Sequence, residues 1–178
     1  MKIGLVRHFK VKQSLPRGFL IGHDALTDWF AQYDHAEVNY TTIDMRAINW
    51  ELCYASTMSR AYKTARHIFK GEIEVHDDLR EVSVLNLMNK KRRLPIILWA
   101  ILIKRKTLSA NEITESTKKK LADFVDKLLT KPEKEILIVS HGFIMMLLQQ
   151  ELIARGFTGE LFRNPANGKV YIFEKSDF

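Results

Sequence analysis

The sequence predicts an α/β protein: a single three-layer α/β/α domain whose mostly parallel sheet is flanked by helices. Three observations predict it. Short apolar runs that read as buried strands alternate with amphipathic helical stretches, the signature of β-α units. Two of those runs end at a histidine, Leu5-Val6-Arg7-His8 and Val139-Ser140-His141-Gly142, and open α/β sheets place ligands at the carboxyl ends of their strands. Finally, 178 residues with 46% hydrophobic and 28% charged side chains suit one domain, residues 1–178, with a sizeable core.

In chain order, strands are expected at residues 2–6, 52–56, 72–75, 135–140 and 169–174. Helices are expected at 25–33, 59–69, 113–129 and 143–155. Ser56 or Thr57 can cap the second helix, and Ser140 precedes the fourth, as helix starts prefer. Pro132 closes the third helix, and Gly156 follows the fourth as a C′ glycine. Asn167-Gly168 reads as the turn before the last strand, which is expected to reach an edge of the sheet.

Residues 86–107 stand apart as a short basic-apolar-basic helical insert. Ten almost wholly apolar residues, 94–103, lie between Lys90, Lys91, Arg92 and Arg93 on one side and Lys104, Arg105 and Lys106 on the other. The segment holds no Asp or Glu, so its seven cations equal the whole formal net charge of +7. Spanning a bilayer takes about 20 residues, so 94–103 is no transmembrane helix. It reads as a core or cap helix with solvated ends. The alternatives are a lid over an anionic substrate and a membrane-surface or partner-binding element. Nucleic acid is not an expected partner, because aromatic residues are not interleaved with the charges.

The first apolar run meets Arg7 and His8 too early for a signal peptide. The single cysteine, Cys53, sits in the apolar Leu52-Cys53-Tyr54-Ala55 and reads as a buried strand thiol rather than a nucleophile. Both features lead us to expect a cytoplasmic protein.

The candidate chemistry gathers at strand ends. An imidazole can attack phosphorus near neutral pH and release it again, which makes His8 and His141 candidate catalytic groups. Ser56-Thr57-Met58-Ser59-Arg60 runs from a strand end into a helix, where free N–H groups and the helix dipole also favour an anion. Arg7 and Arg60 supply planar donor forks that match phosphate oxygens. Asp78-Leu79-Arg80-Glu81 offers carboxylates for proton transfer, Glu81 first and Asp78 as the alternative. Arg80 is expected to point into solvent. His23 reads as a surface-loop residue or a border of the entrance. Arg17 reads as a solvated loop residue or a contact for a second acidic group, and His35, His67 and His76 as surface or helix residues. No His or Cys spacing looks like a metal site.

Arg7-His8, Ser59-Arg60-Ala61-x-x-Thr64-Ala65, Leu79-x-Glu81 and Ser140-His141-Gly142 resemble, in that order, the motifs of the histidine phosphatase superfamily. That family contains the cofactor-dependent phosphoglycerate mutases and the fructose-bisphosphatase-type phosphatases. Gly22-x-Asp24-x-Leu26-Thr27 is similar to its segment before the first helix, and Glu115-Ser116 to the pair that opens its penultimate helix. The resemblance implies that His8 becomes phosphohistidine. It implies that Arg7, Arg60 and His141 bind the phosphoryl oxygens, and that Glu81 protonates the leaving alcohol and later activates water. Two guanidiniums beside His8 should also depress its pKa.

The chain departs from the pattern at Phe9, where the family usually has Gly, so the ring must either turn away or line the substrate site. The phosphate-contacting Asn that the family has a few residues later is not evident, and Gln13 is the candidate stand-in. Gly142, following His141, completes the expected substrate contacts. The function expected is a metal-independent, cofactor-free phosphatase acting on a small phosphorylated substrate. The alternatives are a phosphoglycerate mutase-type phosphotransferase and a phosphate-binding regulatory pseudoenzyme that docks through residues 90–106.

Overall fold

The structure is a computed structural model describing residues 1–109 and 111–176. Its centre is a six-stranded sheet of β1 (Lys2–Arg7), β3 (Leu52–Ser56), β4 (Ile73–His76), β6 (Glu135–Ser140), β7 (Thr158–Gly159) and β8 (Val170–Glu174), in the order β4-β3-β6-β1-β8-β7. β4, β3, β6 and β1 run parallel, whereas β8 pairs antiparallel with β1 and with β7. The last long strand is therefore not at the edge, as the sequence suggested. Residues 158–159 cover it, a two-residue strand too short for an alternating pattern to reveal.

Side chains of a strand point alternately to its two faces, and the unbroken apolar run of β6 uses both. Ile136 and Ile138 face α4 (Asn111–Leu129) and α5 (Gly142–Ala154), packing with Phe124, Val125, Leu148 and Leu152. Leu137 and Val139 face the opposite way, onto Ala61 and Ala65 of α2 (Ser59–Ile68) and onto Trp50. Helices thus cover both faces, the three-layer arrangement expected. α1 (His23–His35) extends the α2 side.

Helix ends obey the expected glycine and miss the expected hydroxyls. Gly156 has φ +85°, and the N–H groups of Gly156 and Phe157 bond back to Ile153 and Leu152, closing α5 as a Schellman turn. Met58, not Ser56 or Thr57, is the N-cap of α2, and His141, not Ser140, that of α5; neither makes a side-chain cap bond. The hydroxyls are used elsewhere, because Ser56 and Ser140 are fully buried and serve the site.

Residues 86–107 form a satellite layer. β2 (Ile21–Gly22) and β5 (Arg93–Leu94) pair antiparallel, a contact the sequence did not announce. α3 (Ile96–Ser109) follows. Its Trp99 is wholly buried against Ile21, Leu26 and Leu85 and donates its indole N–H to the Ile21 carbonyl at 2.8 Å. Among the described residues no helix is long and apolar enough to cross a membrane.

Candidate active site

Register creates the site. Arg7 of β1 lies opposite Ser140 of β6, and the His8 N–H continues that ladder to the Ser140 carbonyl at 3.0 Å. Each histidine follows one member of this pair, so His8 and His141 meet with ring centroids 5.1 Å apart. β3 runs parallel to β6 with Ala55 opposite Val139, which brings Ser56 to the same end. Arg60, in the first turn of α2, completes the group. His8, Arg60 and His141 are each at most 5% exposed.

The hydrogen bonds assign a task to each imidazole nitrogen. His8 Nδ1 sits 2.7 Å from the Phe9 carbonyl, which can only accept, so Nδ1 carries the proton. Nε2 then holds the lone pair, accepting from Arg60 Nε at 3.2 Å. Burial is the largest cause that lowers the His8 pKa to about 3; Arg60 and Arg7 add to it, and the Phe9 carbonyl opposes. The guanidiniums were expected to be the cause, but they come second to desolvation.

His141 is held well below the ordinary imidazole value, first by burial and then by Arg60. The Ser56 hydroxyl accepts the Met58 N–H and lies 2.9 Å from His141 Nε2, to which it can donate its own proton. In that arrangement His141 Nδ1 is a donor. It is buried without a partner, as is Arg7 Nε. Two orphaned donors beside one another are costly unless something accepts from them, and an oxyanion is the acceptor their chemistry suits.

The two arginines are held differently. Arg7 Nη1 is anchored on the Pro165 carbonyl at 3.0 Å. Gly142 lies beside it: a Cβ there would stand 3.5 Å from Arg7 Cζ, an ordinary contact. Arg60 Nη1 donates to the Asp34 carboxylate, and its guanidinium lies 5.2 Å from the Tyr33 ring centroid. Neither Asp34 nor Tyr33 carries a motif that a sequence reading could have found.

Glu81 accepts from its neighbour Val82 at 3.3 Å and from Phe143, in the first turn of α5, at 3.4 Å. Burial raises its carboxyl above the ordinary glutamate value, against the pull of those N–H groups and of Arg60 and Arg7. Asp78, the alternative, instead faces His76 at 3.6 Å. Arg80 is half exposed as expected, yet it donates to Thr57 Oγ1 at 2.9 Å rather than hanging free.

Phe9 resolves its own question. Its ring turns away into a cluster with Val11 and Val38, edge-on to Tyr40 and His67. Its N–H donates to Thr64 Oγ1 at 2.9 Å, and Thr64 Oγ1 donates to the Arg60 carbonyl at 2.7 Å. The residue in the usual glycine position therefore ties strand β1 to helix α2. On the other side Asn167 Nδ2 holds the His8 carbonyl at 2.7 Å, in a turn where Gly168 has φ +64°.

The Gln13 amide nitrogen is spent on the Trp29 carbonyl at 3.1 Å rather than on the histidine cluster. His23 is no surface-loop residue. It is buried at the start of α1, with Nε2 3.2 Å from the Leu85 carbonyl and its ring near Trp99. Arg17 is an exposed loop residue. Cys53 is buried with its thiol pKa pushed up to about 12, a structural and unreactive group.

A buried imidazole whose Nε2 carries the lone pair, orphaned donors for an oxyanion and a carboxyl whose pKa burial raises form a site suited to phosphoryl chemistry. The histidine phosphatase superfamily (branch 1) matches residues 32–177, and the chain belongs to it. The match begins after Arg7 and His8, which rest on the geometry above. Solved structures agree on the fold. A phosphoserine phosphatase from Entamoeba histolytica, in complex with 3-phosphoglyceric acid, is 20% identical with TM-score 0.59, covering 96% of this chain and 89% of that one. An α-ribazole phosphatase from Shigella flexneri is 18% identical with TM-score 0.52, covering 96% of each. A mycobacterial glucosyl-3-phosphoglycerate phosphatase complexed with VO3 is 11% identical with TM-score 0.52, covering 94% and 98%. No match was found among curated proteins. Family membership makes the chain an enzyme of the phosphoric monoester hydrolase class.

Proposed function

We propose that the chain hydrolyses small phosphomonoesters through a phosphohistidine on His8, without a metal. The observation that carries this reading is the tautomer of His8: Nδ1–H rests on the Phe9 carbonyl while Nε2 faces the cationic cluster. Nε2 attacks phosphorus and the ester P–O bond breaks. Glu81 gives its proton to the leaving oxygen, and the Phe9 carbonyl supports the positive charge on the phosphorylated ring. Glu81, now a carboxylate, then takes a proton from water as the water oxygen attacks phosphorus, and the P–Nε2 bond breaks. Arg7 Nε, His141 Nδ1–H and Arg60 stabilise the equatorial oxygens throughout. In such transfers positioning and electrostatics supply most of the rate.

The cavity beside Arg60 and Glu81 supports a substrate whose body is apolar. It measures about 120 Å³ and is walled by Phe30, Met58, Val82, Val84, Leu85 and Ile103, with Arg60 its one cation. A mutase-type substrate carries a second acidic group, for which this lining offers no partner. We place the enzyme in the cytoplasm, a reducing compartment that suits the unpaired Cys53.

The test is turnover of p-nitrophenyl phosphate and of a panel of aryl, alkyl and carboxylated phosphate esters, in the presence of a chelator. Wild type should release phosphate and His8→Ala should not. Acid-stable phosphoenzyme, or turnover that survives His8→Ala, would overturn the phosphohistidine route, since a phosphoimidazole is acid-labile.

A further inference from the structure

We propose that the outer face of α3, with the loop ahead of β2, is a docking surface for an anionic lipid membrane. The phosphatase reading leaves this face unused. Ile97, Leu98 and Ile101 are 70%, 45% and 48% exposed, and Lys104 and Arg105 are exposed beyond them. Positions i, i+1, i+4, i+7 and i+8 share one side of a helix. The outer stripe is therefore apolar over its first two turns and basic over its last. Trp99, on the opposite side, anchors the helix to Ile21 and Leu26, so the stripe is fixed in its outward orientation.

A second segment holds exposed apolar side chains close in the chain to the strand that pairs ahead of this helix. The β2–β5 pairing sets Ile21 against Leu94. The two residues before Ile21 are Phe19, 83% exposed, and Leu20, 46% exposed. Lys90, Lys91, Arg92 and Arg93 are all exposed on the approach to the helix. On the flank, a groove of about 580 Å³ combines Arg92, Arg105 and Lys106 with Leu87, Met88 and Leu102. That mixture suits an anionic headgroup and the first carbons of its acyl chains.

Charge chooses the occupant. From Asn86 to Thr107 the chain carries seven cations and no carboxylate. A second copy seated here would press one such segment against another, like charge on like. An anionic lipid surface attracts every one of these cations, and it accepts Phe19, Ile97, Leu98 and Ile101 into its acyl boundary.

The experiment is flotation of the intact protein with vesicles of phosphatidylcholine alone and of phosphatidylcholine mixed with phosphatidylglycerol. Binding is expected to the mixed vesicles only, weakened but not abolished by high salt. Ile97→Asp/Ile101→Asp should lower the affinity about tenfold or more through lost apolar insertion. Lys104→Glu/Arg105→Glu should lower it at least as much through charge. Both pairs project into solvent, so circular dichroism and Tm should match wild type. Should the first pair fail to fold, the charge reversal decides. Three results would overturn the proposal: no binding to mixed vesicles; binding that neither pair weakens; or sedimentation showing that this face joins two copies or captures acidic polypeptide in place of lipid.

Discussion

The strand-end site and the 86–107 segment are built on opposite plans. Around His8 nearly every polar atom is committed. The backbone of residues 7–9 is tied to Ser140, Thr64, Asn167 and Gly168, and the two groups left over, Arg7 Nε and His141 Nδ1, are donors suited to an oxyanion. The outer segment instead rests on a two-residue strand pair and a small cluster around Trp99, and it leaves its cations and several large apolar side chains in water. The contrast teaches where each kind of decision is made. On the reading proposed above, chemistry sits where strands and helices over-determine position, and recognition sits on an element held by fewer contacts.

Breaking the rigid half should have the largest effect. Arg60→Ala removes a donor to the equatorial oxygens and the partner of His8 Nε2, so kcat should fall about 10²- to 10³-fold, measured on p-nitrophenyl phosphate. Should kcat hold while only KM rises, Arg60 would be a binding residue alone.

Glu81→Gln sharpens the same half. With alkyl phosphates the loss should approach about 10²-fold or more, whereas p-nitrophenolate leaves unaided and should lose far less. Because burial raises the Glu81 pKa, the wild-type rate should decline on a basic limb above the ordinary glutamate value, and that limb should vanish in the variant. The acid limb behaves oppositely. His8, lowered to about 3, keeps its lone pair well below the usual imidazole range. The same depression gives the fold stability that is fully present above pH 6.5 and lost as pH falls through about 3. Acid unfolding of His8→Ala should be correspondingly less steep.

Trp99→Phe tests the other half. It leaves the Ile21 carbonyl without its donor and should lower stability by about 1–3 kcal/mol. Turnover of p-nitrophenyl phosphate should stay near wild type, while KM for esters with larger apolar bodies rises, because Leu85 and Ile103 pack with Trp99 and line the cavity. A kcat loss comparable to that of Arg60→Ala would erase the distinction between the halves. The smallest effect is expected from Asp34→Asn, where Arg60 keeps a hydrogen-bond acceptor but loses its charged clamp. kcat/KM should fall about fivefold, since misorientation of a guanidinium costs less than its removal.

Much of this was readable beforehand, for reasons that differ by residue. Residues 136–139 are apolar without a break because β6 is covered on both faces, and a strand of that kind declares itself. His8 and His141 each follow such a run, so their convergence could be expected. Gly156 and Gly168 occupy positive φ, a local demand that a residue type meets. The hydroxyls misled because Ser56 and Ser140 looked like caps, while burial committed them to His141 and Leu79. His23 misled because nothing local reveals that Trp99, far along the chain, closes over it. Asp34 was invisible for the same reason: its partner is a helix away, and no spacing encodes that contact.

By itself the sequence determined the alternation of strands and helices, the two histidine-bearing strand ends, and the single charged tract. These follow from periodicity and residue type, which are local. Only the tertiary structure decided that β8 lies inside the sheet, that Phe9 turns from the site, that desolvation outweighs the arginines in tuning His8, and that α3 shows an apolar stripe to water. Each depends on which surfaces meet across long separations, and burial energy is settled by that meeting rather than by neighbours in the chain.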